Sequence, residues 1–176
     1  MSLSPDHETL FKTWLEEYQG IVVKISRSFS ATPVDCDELQ QELLLQLWIS
    51  AKSFTGQAKA STWIYRVCLN TAMTWRRGTE RWRKRMDPTA DVSQLLAGSA
   101  SPAESAGDRE ILDKLYAAIH AMPTAGRALV LLSLDGLAYR EIAEIMGMTE
   151  THVGVALTRA RKHLSELMKG VTDELE

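Results

Sequence analysis

Apolar residues recur at intervals of three and four along most of this chain, and no run of Val, Ile, Thr and aromatic residues alternates with polar ones between hairpin turns. The pattern predicts an all-α protein. Leu39, Leu43, Leu44, Leu47 and Trp48 form one buried stripe in a segment opened by Pro33 and Asp35, where Asp35 is placed to N-cap the helix and Glu38 to close a capping box. Glu38, Gln41, Glu42 and Gln46 fall on the other side, which is acidic and amide-rich. Residues 51–60, AKSFTGQAKA, break the rhythm at Gly56 and predict a loop. Residues 61–85, STWIYRVCLNTAMTWRRGTERWRKR, read as one long helix with Ile64, Val67, Cys68, Thr71 and Trp75 inward and Arg66, Asn70, Met73 and Arg77 outward.

A second helical block predicts four helices: 112–122 ending before Pro123, 125–134 ending at Asp135-Gly136, 139–146, and 149–168, with Gly147 suited to the left-handed residue past a helix end. Ile142, Ala143, Met146, Val153, Leu157 and Ala160 would close a core between the last two, around a three- to four-residue turn. That is a helix-turn-helix pattern, whose second helix usually enters the DNA major groove. Between the blocks lie residues 86–108, with two Pro, two Gly, four Ser and five Ala, which is flexible-linker composition. The expected organisation is a first domain at 1–85, an acidic linker at 86–108 and a helix-turn-helix domain at 109–176.

Composition adds little to the fold and more to the partner. With 45% apolar and 24% charged residues the chain is ordinary globular material. It contains no apolar run of the roughly 20 residues that span a bilayer, and its first residues, MSLSPDHETL, carry no basic-then-apolar leader; a cytoplasmic location without membrane insertion is expected. Cys36 and Cys68, the only cysteines, predict two buried or half-buried thiols rather than a disulfide or zinc site. The net charge of −3 is uneven: residues 1–85 sum to +3, 86–108 to −4 and 109–176 to −2. Arg76, Arg77, Arg81, Arg83, Lys84 and Arg85 against Glu80 give +5 within ten residues. A polyanion would meet the protein there first.

Catalytic chemistry finds no foothold. His7, His120, His152 and His163 are scattered, no cluster has metal-ligand spacing, and no glycine loop is built to cradle phosphate, so neither catalytic residues nor a cofactor or metal is expected.

Four motifs in order sharpen this picture: D-x-D-E-L-x-Q-E-x-x-x-x-L-W from Asp35, F-x-G from Phe54, S-T-W-I-Y-R-V-x-x-N from Ser61, and W-R-R from Trp75, followed by the helix-turn-helix. Together they resemble the extracytoplasmic-function group of bacterial sigma factors, the two-domain initiation subunits of RNA polymerase in the sigma-70-like family. The resemblance covers about residues 10–85 and 111–168. It implies a transcription initiation factor that binds core RNA polymerase and promoter DNA, opens the minus-ten region, and is held by an anti-sigma factor. The Asp35–Trp48 helix would dock on polymerase through Asp35, Asp37, Glu38, Gln41, Glu42 and Gln46. The loop Lys52–Ser61 and the helix from Thr62 would hold the opened minus-ten strand, using Phe54, Ser61, Thr62, Trp63, Arg66, Asn70, Arg76 and Arg77. Tyr65 and Trp75 supply further aromatics, while Trp63 and Trp75 sit close enough to the inward stripe that core packing competes with base contact. Arg81, Arg83, Lys84 and Arg85, interleaved with Trp82, continue the helix as a stripe for duplex phosphate.

For the minus-thirty-five element the resemblance points to Arg140, Thr149, Thr151, His152, Val155, Thr158, Arg159, Arg161 and Lys162. Here the chain departs from that family's pattern. Lys or Arg is usual at the positions of Gly154 and Ala156, and a small polar residue at that of Val155. Three readings stay open: an unusual element read by His152, Val155 and Thr158, with Val155 on a thymine methyl; weak duplex binding helped by tethering; or a protein-binding face. The alternative to an initiation factor is a helix-turn-helix regulator or sigma-like adaptor that binds a protein partner without supporting initiation.

Overall fold

The computed structural model describes the backbone of residues 5–86 and 106–173 and the side chains of 7–81 and 110–169. Every regular element among them is helical. The chain divides into two compact units. The first holds α1 (Pro5–Phe29), α2 (Pro33–Ala51) and α3 (Ala60–Met86); the second holds α4 (Ala106–Ala121), α5 (Thr124–Leu134), α6 (Tyr139–Met146) and α7 (Glu150–Asp173). None of the described helices is long and apolar enough to cross a membrane. Most of the expected linker, residues 87–105, lies outside the described residues, but its last three positions, Ala106 to Asp108, already belong to α4.

In the first unit, α1 packs on α3. It buries Trp14, Ile21, Val22, Ile25 and Phe29, a stripe at helical spacing. Three serines near its end, Ser26, Ser28 and Ser30, are buried and donate their hydroxyls to Val23, Lys24 and Ser26 carbonyls at 2.7–2.9 Å. Buried hydroxyls need such partners, and the helix's own backbone supplies them. The α2 helix opens at Pro33, two residues before the expected cap; Pro, which has no N–H to leave unsatisfied, suits the first turn, and Asp35 lies inside it where the positive end of the helix dipole favours a carboxylate. Leu39, Leu43, Leu47 and Ala51 bury a strict four-residue stripe.

The buried face of α3 differs from the expected one. Ile64 and Cys68 are inside, but Tyr65, Leu69 and Ala72 complete the stripe, whereas Val67, Thr71, Trp75 and Met73 are half-buried. The helix is rotated by roughly a quarter turn from that expectation, so that the i, i+3, i+4, i+7 set at 65, 68, 69 and 72 faces the core of the unit. Burial pushes the Cys68 thiol up to about 12. Cys68 should therefore stay unlabelled by iodoacetamide at pH 8 in the native protein and react only in denaturant, as intact-mass measurement would show. The unfolded chain also ionises this thiol first, so its contribution to stability is lost as pH climbs from 9 towards 12.

The second unit is built around α5, in which every residue from Arg127 to Leu132 is buried. The sequence does not advertise Arg127 as a core residue, yet it is 0% exposed. Its Nη2 donates to the carbonyl oxygens of His120 and Met122, at the end of α4. An arginine thus closes a helix C-terminus from the neighbouring helix, where carbonyls lack intrahelical donors and cations are favoured.

Candidate nucleic-acid interface

The α2 face opposite the leucine stripe carries Asp37, Glu38 and Gln41 exposed, with Asp35, Glu42 and Gln46 half-buried. Gln46 Nε2 donates to Glu42 Oε1 at 3.0 Å, which fixes one carboxylate along the helix edge. Large apolar residues stand among these acids: Val34, Leu45 and Ile49 are 67%, 50% and 51% exposed. A count of 100° per residue puts 34, 38, 41, 45 and 49 together, so their position was available in the sequence; only their lack of a covering element was not. The face is a mixed acidic and apolar ridge.

The loop after α2 is anchored at one side chain. Phe54 is half-buried, edge-on to Trp14 of α1 at 5.3 Å and to Trp63 of α3 at 5.6 Å between ring centroids. Trp63 also donates its indole N–H to Ser50 Oγ at 3.4 Å. Around that anchor Lys52, Ser53, Thr55, Gln57 and Lys59 are exposed, and Gly56 makes the turn at φ +75°, which other residues rarely adopt. Next to it, Ser61 is half-buried, but Thr62 and Tyr65 are 5% and 7% exposed, so their side chains belong to the core rather than to a strand passing over the surface. Packing wins here because both fall on the side of α3 that the unit covers.

Beyond the loop Arg66, Asn70, Arg77 and Arg81 are exposed in sequence along α3. Arg76 is partly covered and its Nε donates to Glu80 Oε1 at 2.6 Å; Arg77 Nη2 donates to Thr74 Oγ1 at 3.2 Å. Glu80, which in the sequence reads only as a counter-charge, thus occupies the guanidinium that a phosphate would take. The helix runs on to Met86, and the side chains of Arg83, Lys84 and Arg85 lie outside the described residues.

In the second unit α6 ends at Gly147, φ +67°, where Met148 N donates back to Ala143 O at 3.1 Å, and α7 starts one residue later than expected. Thr149 is its cap: the hydroxyl accepts the His152 amide at 3.2 Å. Val153, Leu157 and Ala160 on α7 are buried, as are Ile142, Ala143 and Ile145 on α6, whereas Thr151, His152, Val155, Thr158, Arg159, Arg161 and Lys162 are exposed, as is Arg140 on α6. The exposed residues divide by their partners. Arg161 turns aside to donate to Ser133 Oγ on α5 at 2.6 Å, and Lys162 sits 4.0 Å from Glu166. Gly154 is not forced by geometry: a Cβ there would meet the Tyr139 ring at 3.5 Å, an ordinary contact. Gly154→Ala should then raise the stability of this unit by about 0.5–1 kcal/mol in urea titration.

Comparison with known proteins decides what these surfaces belong to. The pattern of sigma-70 region 2 matches residues 14–83, and that of sigma-70 region 4 matches 112–164. The ECF RNA polymerase sigma-E factor of Haemophilus influenzae is 30% identical over 159 residues, covering 86% of this chain and 84% of that protein. The chain belongs to the extracytoplasmic-function sigma factors. Among other sigma factors, SigG of Mycobacterium tuberculosis is 28% identical over 187 residues; the chain spans about half of its length, 50%, with 94% of its own. In fold, this sigma factor resembles RpoE of Bartonella quintana, solved with the anti-sigma factor NepR, at a TM-score of 0.72 and 21% identity, over 90% of this chain and 96% of that one. It also resembles CnrH, solved with the cytosolic domain of CnrY, at a TM-score of 0.65 and 19% identity, over 93% and 90%. The region 2 match takes in the α2 ridge, the anchored loop and the arginine stripe as far as Arg83; the region 4 match takes in Arg127 and most of the exposed face of α7.

Proposed function

We propose that this sigma factor binds core RNA polymerase through the α2 ridge and directs it to promoters whose minus-ten strand is held by the 52–61 loop and the exposed side of α3. The observation that carries the reading is the pairing, within one unit, of an uncovered acidic and apolar ridge with a basic stripe on the next helix. One suits a basic, partly apolar protein surface, the other a phosphate backbone. In this reading the first unit is the polymerase and minus-ten module, the second is the minus-thirty-five module, and the segment between them lets both engage at once. No step of it needs catalysis by the chain or a cofactor, and the protein works in the cytoplasm beside polymerase. An anti-sigma factor is a further partner; the fold likeness to RpoE, solved with the anti-sigma factor NepR, supports this, as do the uncovered apolar side chains Ile111, Leu134 and Tyr139, 63%, 58% and 43% exposed.

In vitro transcription with purified core polymerase and a library of randomised promoters tests the reading. Transcripts sharing upstream motifs are expected, and Glu38→Lys with Leu45→Glu should remove both core binding and transcripts. Core binding without any transcript would favour the adaptor instead, and no core binding would overturn the proposal.

A further inference from the structure

At the centre of its uncovered face α7 presents an apolar residue where a base-reading helix normally presents a hydrogen-bonding one. Bases are told apart in the major groove by hydrogen bonds from Arg, Lys, Asn or Gln, or by apolar contact with the methyl group that only thymine carries. Val155, 50% exposed, occupies the middle of the uncovered face of α7, with Thr151, Thr158 and Lys162 on the same side by helical spacing. Two neighbours have their donors engaged elsewhere. The Thr158 hydroxyl donates its proton to the Gly154 carbonyl one turn back at 2.8 Å, so it offers a ligand its methyl group and an acceptor oxygen but no donor. Arg161 is drawn aside to Ser133. At 154 and 156 the side chains are a hydrogen and a methyl, so neither chain neighbour stands over Val155. Arg159, one turn further along the same face, and Arg140 on α6 remain exposed in the helix-turn-helix.

We propose that Val155 and the methyl of Thr158 form an apolar reading site for thymine methyl groups in the upstream duplex element. This rests on the promoter-directing function proposed above and names the base chemistry its second unit takes. The same face could meet a protein instead, but the arrangement favours DNA: a small apolar centre bordered by exposed cations matches a methyl set between phosphate backbones, and helix-turn-helix geometry brings the two together.

The test is deoxyuridine scanning. Holoenzyme is assembled from the full chain and core polymerase, a promoter is selected from a randomised library, and each upstream thymine is replaced in turn by deoxyuridine, which removes only the methyl. Binding should weaken by roughly three- to tenfold at one or two positions, the scale of one buried methyl contact. Val155→Ala, at an exposed position and in a residue that favours helix, should abolish that difference between thymine and deoxyuridine. Arg159→Ala should weaken binding to both duplexes alike and keep the ratio. Indifference to deoxyuridine at every position, on promoters whose upstream sequence still matters, would overturn the methyl site and leave the promoter reading standing. Indifference to the upstream sequence altogether would overturn both the site and duplex reading by this helix, and would assign the face to a protein.

Discussion

Arg127→Ala should strongly destabilise the second unit, as much as truncating one of its large core side chains. The change removes the donor that Nη2 offers to the His120 and Met122 carbonyls and leaves a cavity between α4 and α5. Each stranded carbonyl costs about 1–3 kcal/mol, and the missing volume adds to that, for a total on the order of 3–5 kcal/mol. That is a large share of the roughly 5–15 kcal/mol that holds a typical domain folded. Calorimetry should show the corresponding transition lowered by about 15 °C or more, while the first unit melts unchanged. Arg127→Met refills most of the volume without restoring the donor. It should recover only part of the loss, and full recovery would show that space rather than hydrogen bonding sets the effect.

Replacing Arg76, Arg77 and Arg81 together by alanine should cost promoter binding one to two orders of magnitude at low salt. Arg77 and Arg81 are exposed on α3 and Arg76 is partly so, and the slope of log affinity against log salt should fall by about 0.7–0.9 for each phosphate they no longer neutralise. The informative comparison is with Glu80→Gln. Freed of the 2.6 Å bond from Arg76 Nε to Glu80 Oε1, the guanidinium becomes available to phosphate, so binding should tighten and the salt slope steepen. If the triple substitution left the slope unchanged, α3 would not be tracking a backbone.

Much of the helical layout was legible because the signals were local. Gly147 and Pro123 mark helix ends by their backbone restrictions, and the leucines of α2 keep a four-residue rhythm that only a helix satisfies. The family motifs led to the same layout from a different kind of information. What could not be read was how neighbours choose between faces. Tyr65 and Thr62 carry groups suited to nucleic acid, yet lie on the covered side of α3, and one helix considered alone does not reveal which side its neighbours will cover. Arg127 was hidden for a related reason: the carbonyls it serves belong to the preceding helix and become neighbours only on folding. The α1 helix is absent from the expected elements, although Trp14, Ile21, Val22, Ile25 and Phe29 carry its periodicity plainly. At Gly154 the opposite holds. A glycine inside a helix stands out in the sequence, and no backbone or packing demand in the structure accounts for it, since φ is ordinary and a methyl would fit against Tyr139.

The aromatic anchoring of the first unit makes the molecule optically lopsided. All five tryptophans, Trp14, Trp48, Trp63, Trp75 and Trp82, precede the second unit, whose fluorophores are Tyr116 and Tyr139 alone. Emission excited on the red edge of the indole band would therefore follow one half of the chain while circular dichroism follows both. With Phe54 seated edge-on between Trp14 and Trp63, displacement of that ring by a passing strand would register in the same emission, without any attached dye.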